Sequence, residues 1–419
     1  MKVFWWVSVV IALVAVAATA TVGVAYHRAY SDVESAPPYQ LAPAELPVTP
    51  VEPSLADDGS TISPAAGFQA PAIDGQLGAA VVDLTTQESV YEHDAHRQLV
   101  PASSTKIVTA TAALASMDLD KRLHTVIEHD GAHVVIRAAG DVWLDDAALD
   151  AAAAAIGHAD SVEIDTSLWS GPTQAEGWDP GNVAEGYIAP MEPAMLYGGR
   201  IGATEGDVPR SHTPALDVAG ELAKRLGTDK FAPGTVTEGA EELASVESAP
   251  LSERALEMVR HSDNVMAEAI ARELADARGK QPSFQADTQA TLDVLREHGF
   301  DVSGVDIKDN SGLSVDNRLS ASVLAEIVNG AVEEPQLRPL TAYLPVAGGD
   351  GTLHERYGES AARGFVRAKT GTLTGVSALA GTAQGQSGRV YSFAFLVNDG
   401  EIMAARAAQD DLAAALHEF

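Results

Sequence analysis

The chain has 419 residues, of which 46% are hydrophobic and 21% charged, and its 59 acidic and 27 basic side chains give a formal charge of -32. This composition can bury a core large enough for two ordinary domains, which excludes global disorder, and the negative charge argues against a nucleic-acid partner. The absence of cysteine excludes disulfides, thiol nucleophiles and thiolate metal sites. No motif for a metal or nucleotide cofactor occurs.

Residues 1–30 are predicted to take the chain out of the cytoplasm. From Val3 to Tyr26 the only ionisable side chain is the tyrosine phenol, and this apolar run is long enough to span a bilayer. Ala18-Thr19-Ala20 also offers a small-residue cleavage site, so a membrane anchor, which we favour, and a cleaved signal peptide both fit. A buried core helix is a third alternative.

Residues 31–72 are predicted to be a linker. Eight prolines lie between residues 34 and 72, separated by small and acidic residues. This composition is typical of an extended spacer that cannot pack a core, and an ordinary disordered linker fits equally well.

The folded part is predicted to begin near Ile73 with a hairpin, Leu77–Leu84 and Val90–Asp94, followed by a helix after Val100. Residues 123–236 contain short strand-like runs, an alanine-rich helix and a segment rich in Gly, Pro and Trp. We interpret this region as an inserted smaller domain. Its predicted elements are Val134–Ala138, Val162–Ile164 and the helix Asp145–Ile156.

The remainder is predicted to be helical and then strand-dominated. The helices are Leu251–Arg260, Val265–Ala277, Thr288–His298 and Leu319–Val332, and the strands Phe365–Thr370, Ser377–Ala383 and Val390–Val397 precede a closing helix, Ile402–Leu416. Helices enclosed between an N-terminal hairpin and a C-terminal meander suggest one mixed sheet built from both ends of the domain, residues 73–122 and 237–419.

Three short motifs carry reactive side chains. In Ser103-Ser104-Thr105-Lys106, at the start of a predicted helix, positions i and i+3 share a face, so the first and last side chains can approach each other. Ser262-Asp263-Asn264 lies between two predicted helices and taken alone suggests a helix cap. Lys369-Thr370-Gly371-Thr372 lies on a predicted strand and taken alone suggests a surface strand with a solvated lysine.

The three motifs together, in this order, resemble the set found in penicillin-binding proteins and class A β-lactamases. Flanking segments make the chain similar to the low-molecular-mass class C penicillin-binding proteins, the D-alanyl-D-alanine carboxypeptidase/endopeptidase family. These segments are Pro101-Ala102-Ser103, Gly140-Asp141, Asp309-Asn310-Ser311-Gly312-Leu313, Asp316-Asn317-Arg318, Leu344-Pro345-Val346-Ala347-Gly348, Gly351-Thr352-Leu353 and Arg367 to Leu373.

The resemblance extends from about Leu77 to the C-terminus and implies an α/β (α+β) fold of the serine β-lactamase/DD-peptidase type. Such a fold has a mixed antiparallel sheet flanked by helices, here with one inserted domain. The interval between Ser103 and Ser262 is too long for a single-domain β-lactamase, yet it has room for only one of the two inserted domains usual in the family. We therefore expect the innermost domain to be missing.

The resemblance also implies catalytic roles. Ser103 would be the nucleophile and Lys106 its base, kept neutral by burial and by repulsion from Lys369. Ser262 would relay a proton toward the leaving amine, and Asn264 would orient Lys106 and the substrate amide.

Substrate contacts are implied for the third motif and for one further stretch. Lys369, Thr370, Gly371 and Thr372 would hold the terminal carboxylate of a peptide lying along an edge strand, and the backbone N–H groups of Ser103 and Thr372 would form the oxyanion hole. Trp178, Asp179 and Tyr187 would recognise the free end of a diaminopimelate-type side chain. A structural Trp178 with Asp179 as a turn residue fits equally well.

We therefore expect a serine-type D-Ala-D-Ala carboxypeptidase/endopeptidase that needs no cofactor or metal. It would act outside the cytoplasmic membrane on peptidoglycan stem peptides, form an acyl-enzyme and bind β-lactam antibiotics covalently. One alternative is a β-lactamase, although no E-x-x-L-N stretch follows Asn264 to activate a deacylating water. Another is a catalytically idle peptidoglycan-binding scaffold on the same fold.

Overall fold

The computed structural model describes residues 2–30, 68, 73–130 and 133–419. The chain divides into two compact units, Met1–Gly59 and Ser60–Phe419. The described residues of the first unit form helix α1, Lys2–Tyr30. Nowhere in the described residues is a helix long and apolar enough to cross a membrane. The predicted linker, apart from Phe68, lies outside the described residues.

The second unit contains twelve strands among its described residues. They are β1 Gln76–Asp83, β2 Ser89–His93, β3 His124–Asp130, β4 His133–Arg137, β5 Asp141–Leu144, β6 Ser161–Asp165, β7 Ala194–Leu196, β8 Phe231–Pro233, β9 Glu241–Glu247, β10 Val366–Leu373, β11 Val376–Gln384 and β12 Val390–Asn398.

Its helices surround these strands and are numbered on from α1. They are α2 Thr105–Ser116, α3 Asp146–Ile156, α4 Asn182–Glu185, α5 Pro214–Arg225, α6 Leu251–Arg260, α7 Asn264–Ala277, α8 Phe284–Glu297, α9 Ala321–Glu333, α10 Pro339–Tyr343 and α11 Ile402–Ala415, with short 3₁₀ turns at Ala102–Ser104, Tyr197–Gly199, Gly351–Leu353 and Leu416–Glu418.

The predicted sheet formed from both ends of the folded region is confirmed. Its order is β10-β11-β12-β1-β2, and every pair in it is antiparallel. One face packs on an apolar core shared with α2, α7, α8 and α9, and the other packs on a core shared with α11. The outer edge of β10 pairs with residues 345–347 at Val366–Ala368, and beyond that, from Lys369 to Leu373, it has no strand partner among the described residues and can receive a ligand beside the helical core.

A second sheet, of order β8-β6-β4-β3-β9, lies between the first two motifs in sequence and combines parallel with antiparallel pairs. It packs with α3 and α5 around an apolar core of its own, in which Leu149, Val162 and Leu222 are buried. Strand β9 extends this sheet to Glu247, past the predicted domain boundary at residue 236. The exact limits of an inserted domain remain a prediction.

Candidate active site

Ser103 lies in a tight turn that is fixed by its neighbours. Ala102 has a φ of +46°, in the left-handed region that is costly for a residue with a side chain. The hydroxyls of Ser104 and Thr105 donate back to the carbonyls of Pro101 and Ala102 at 2.7 and 2.9 Å. The turn therefore enters α2 with Ser103 held next to the lysine one helical turn ahead.

The Lys106 amine lies at the centre of the site and has no solvent-exposed surface. Its Nζ is 3.0 Å from Ser103 Oγ, 2.6 Å from Asn264 Oδ1 and 2.7 Å from the Ser311 carbonyl oxygen. As a neutral amine it can donate two hydrogen bonds and accept one, which suits a base that takes the proton of Ser103.

Lys369 reaches the same region from the edge strand. Its Nζ donates to Ser262 Oγ and to the Thr370 carbonyl, both at 2.9 Å, and the side chain is fully buried. The structure thus brings both lysines to the two serine hydroxyls of the first and second motifs.

The surroundings of the two lysines act on their pKa values in different ways. Burial lowers the pKa of Lys106 to about 8, while Asp309, Glu268 and Asp263 nearby oppose the shift. Burial and the charge of Lys106 lower the pKa of Lys369 well below its usual value. Both pKa values are therefore lowered, as expected for two buried amines that lie close together, and the distribution of charge between Lys106 and Lys369 remains a prediction.

The Ser262-Asp263-Asn264 motif joins α6 to α7 and combines capping with site contacts. Asp263 caps α7 by accepting from the backbone N–H of Met266 at 2.8 Å, and its other oxygen accepts from Arg200 at 3.0 Å. Asn264 donates to the carbonyl of Tyr187 at 2.9 Å while its Oδ1 accepts from Lys106. The asparagine amide is therefore fixed in one orientation.

The third motif lies against the nucleophile turn because it contains a glycine. A Cβ on Gly371 would lie 2.8 Å from the carbonyl oxygen of Pro101 and 3.0 Å from the Cβ of Ala102. The hydroxyl of Thr370 donates to that of Thr352 at 2.8 Å. Thr372 is exposed on the same edge strand.

The structure does not bring two of the predicted substrate residues to the site. Trp178 is 8% exposed, its ring packs edge-on against Phe284, and its Nε1 donates to Asp309 at 2.7 Å, so the indole belongs to the core. Asp179 accepts from the backbone N–H of Gly181 as a turn residue. Tyr187 is 42% exposed and contacts Asn264 through its carbonyl.

A cavity of about 580 Å³ adjoins Ser262 and Asn264 and has Tyr187 in its wall. Sequence reasoning missed the other residues that supply its aromatic and acidic lining, notably Trp143 and Asp145. Asp145 accepts from the backbone N–H of Ala148 and caps α3. In the sequence it therefore indicated only the start of a helix. Arg200 and Arg210 also line the cavity, and its carboxylates and aromatic rings have the chemistry to contact an ammonium group beside Ser262 and Asn264.

Glu268 is a buried carboxyl of the site that no motif contains. It accepts from the backbone N–H groups of Asn310 and Ser311, and burial together with Asp309 raises its pKa to about 8. Asp309 in turn accepts from the backbone N–H of Gly312 and Ser314. These bonds hold the Ser311 carbonyl against Lys106. Across the described residues, no group of three or more His, Asp or Glu side chains could hold a metal ion.

Comparison with known proteins gives concordant matches. The model of the D-Ala-D-Ala carboxypeptidase 3 (S13) family matches residues 64–211 and 203–419. Carboxypeptidase DacB of Mycolicibacterium smegmatis is 41% identical, with 98% of this chain and 95% of that protein covered. The D-alanyl-D-alanine carboxypeptidase of Actinomadura sp. is 27% identical over 83% of this chain and 82% of its own length. Penicillin binding protein 4 of Haemophilus influenzae superposes with a TM-score of 0.72 at 19% identity, covering 84% of this chain and 98% of that one.

Proposed function

The chain belongs to the D-Ala-D-Ala carboxypeptidase 3 (S13) family of serine peptidases, and on that premise we propose how it cleaves peptides that end in D-Ala-D-Ala. Ser103 is the nucleophile, and the single observation that carries this assignment is the 3.0 Å approach of Lys106 Nζ to its hydroxyl oxygen. An amine that is buried and partly neutral at physiological pH is a suitable base for a serine.

Acylation begins when Lys106 takes the hydroxyl proton and Ser103 Oγ bonds to the carbonyl carbon of the penultimate D-Ala. The backbone N–H groups of Ser103 and Thr372 stabilise the negative charge on the carbonyl oxygen. Ser262, which lies 2.9 Å from Lys369 Nζ, relays the proton held by Lys106 to the leaving nitrogen, and the C–N bond breaks, leaving Lys106 neutral again. Water then adds its hydroxyl to the ester carbonyl carbon and gives its other proton to Ser103 Oγ, which restores the serine and releases the shortened peptide.

Substrate binding involves the edge of the first sheet and the cavity beside Tyr187. Thr370, Gly371 and Thr372 present the strand edge to the terminal D-Ala, and Asn264 orients the amide of the stem peptide. Asp145 and Tyr187 would contact the ammonium group of a diamino acid in the stem. We also propose that the enzyme cleaves peptide cross-links in peptidoglycan as well as the free ends of stem peptides.

Because the peptidoglycan substrate lies outside the cytoplasmic membrane, the chain acts there. We propose that residues 1–30 direct the chain across the membrane, either as an anchor or as a cleaved signal peptide. Residues 31–72 would then be the spacer between this segment and the folded region. The intact mass of the protein recovered separately from the membrane and secreted fractions of the producing cell distinguishes retention of residues 1–30 from cleavage.

The test uses a fluorescent penicillin on the full chain and on Ser103→Ala, with peptide mapping of the adduct. We expect a stable adduct on Ser103 in the parent, no adduct in the variant, and release of D-Ala from a peptide ending in D-Ala-D-Ala by the parent alone. Ser89→Ala is the matched control because Ser89 is exposed and its hydroxyl bonds only to Glu92. Rapid multiple turnover of the penicillin would instead indicate a β-lactamase, and absence of both labelling and D-Ala release an idle scaffold.

A further inference from the structure

Lys369, which the sequence predicted to hold the substrate carboxylate, is poorly placed to bind it. Lys369 has no exposed surface, and its amine is occupied by Ser262 Oγ and the Thr370 carbonyl. Burial also disfavours its charged form. A carboxylate arriving at the strand edge therefore needs another cation.

Strand β10 presents its side chains alternately to the two faces of the sheet. Val366 and Ala368 lie in the apolar core beneath α11, so Thr370 and Thr372 share that face. On the opposite face Gly371 approaches the turn that carries Ser103, and Lys369 reaches Ser262. A ligand along the free edge of β10 can therefore reach groups on both faces.

Arg406 projects from α11 to this edge. Its Nη2 donates to Thr372 Oγ1 at 2.8 Å. It forms no ion pair with a carboxylate anywhere in the described part of the chain. A guanidinium stays protonated throughout the physiological range and can bind a carboxylate through two parallel N–H groups. By donating to Thr372 Oγ1, it also leaves the threonine proton free to point at a ligand.

We propose that Arg406, together with the hydroxyl of Thr372, binds the C-terminal carboxylate of the peptide substrate. The assignment rests on the proposed function, because it presumes a ligand acylating Ser103 from the edge of β10. Lys369 then acts on Ser262 rather than on the carboxylate.

The test compares two peptides ending in D-Ala-D-Ala, one with a free C-terminal carboxylate and one with a C-terminal amide. For Arg406→Gln we expect kcat/KM for the free acid to fall about tenfold or more, mainly through KM, as loss of a charge-assisted pair predicts. The rate for the amide stays unchanged, so the preference for the acid collapses. Arg406→Lys retains part of the preference, since it keeps the charge but loses the paired donors.

Arg338→Gln is the matched control, because it removes the same charge from an exposed arginine whose Nε bonds only to the Val332 carbonyl. An unchanged acid-to-amide ratio in Arg406→Gln, or an equal fall for both peptides, overturns the inference. If Arg406→Gln does not fold, an unchanged ratio in Arg406→Lys and in Thr372→Val overturns it. Failure of the proposed function would look different, as the parent would neither take up penicillin nor release D-Ala.

Discussion

At the residue scale, the site depends on two lysines that share one buried volume. Burial lowers the pKa of both lysines, and the carboxyls around Lys106 oppose that shift. The motifs predict that the two lysines converge on Ser103, because the motifs contain all three of these side chains. They cannot predict the distribution of charge, because Glu268 and Asp309 act from outside the motifs and enter the site only through the fold.

The pKa of Lys106 predicts how acylation depends on pH. Only the neutral amine can accept a proton, and the pKa of Lys106 is about 8, below its usual value of 10.5. The neutral fraction therefore increases with pH, and the second-order rate constant for penicillin should increase from pH 6 and level off above about pH 9. Stopped-flow labelling measures this rate, with tryptophan fluorescence to confirm that the fold persists. A rate that is flat or decreasing across this range would argue against Lys106 as the base.

At the element scale, the nucleophile turn is held by close backbone packing. Gly312 has a φ of +83°, and a Cβ on it would lie 1.9 Å from the carbonyl oxygen of Ala102. The segment that presents the Ser311 carbonyl to Lys106 thus packs directly beneath the turn that carries Ser103. The resemblance picked out this segment, but only the structure shows why it must contain a glycine.

Replacing Gly312 by alanine should therefore cost both stability and activity. We expect Gly312→Ala to lose about 3 kcal/mol or more of unfolding free energy, since backbone must move to relieve the clash, and to acylate more slowly. Gly364→Ala is the control, because Gly364 has the same φ and a Cβ would meet no atom within 4 Å. It should lose only about 1 kcal/mol. Urea unfolding measures both variants, and equal losses would contradict the packing argument.

The elements that the sequence predicted correctly differ from those that it missed in what stabilises them. The helix Leu251–Arg260 was predicted with its observed bounds because its own apolar periodicity defines it. Strand β9, Glu241–Glu247, was missed because it is acidic and lies at a sheet edge. Its extended form depends on pairing with β3, in which His124 lies opposite Glu247. Such pairing between distant segments is invisible to local patterns.

At the scale of the whole molecule, one buried ion pair connects the region of the second sheet to the site. Arg200, in the interval between the first two motifs, bonds Asp263 at 3.0 Å, and the two side chains are 10% and 7% exposed. Burial opposes ionisation of Asp263, but Arg200 and Arg210 hold its pKa below the usual value. Arg200 lies in the predicted inserted domain and Asp263 in the predicted peptidase domain, so the pair joins these two predicted regions.

This pair predicts a coupling that can be measured. Arg200→Met leaves Asp263 buried with one charged partner fewer, and we expect a loss of about 3 kcal/mol of unfolding free energy together with slower acylation, since Asp263 caps the helix that carries Asn264. Adding Asp263→Asn should recover part of the stability, because the uncompensated charge is then gone. A double-mutant cycle in urea gives the interaction energy. Strict additivity of the two losses would show that the pair is not coupled.

The pairing of β1 with β12 determines when the first sheet can form during synthesis of the chain. Gln76 lies opposite Asn398. Strand β1, which leaves the ribosome early, can therefore pair with β12 only after almost the whole chain has been synthesised. Contacts this distant in sequence form late. A polypeptide truncated by a premature stop before residue 390 would have the nucleophile turn but neither β12 nor the closed sheet behind it. Catalytic competence is therefore acquired only after synthesis is nearly complete, so an incomplete chain cannot cleave peptides.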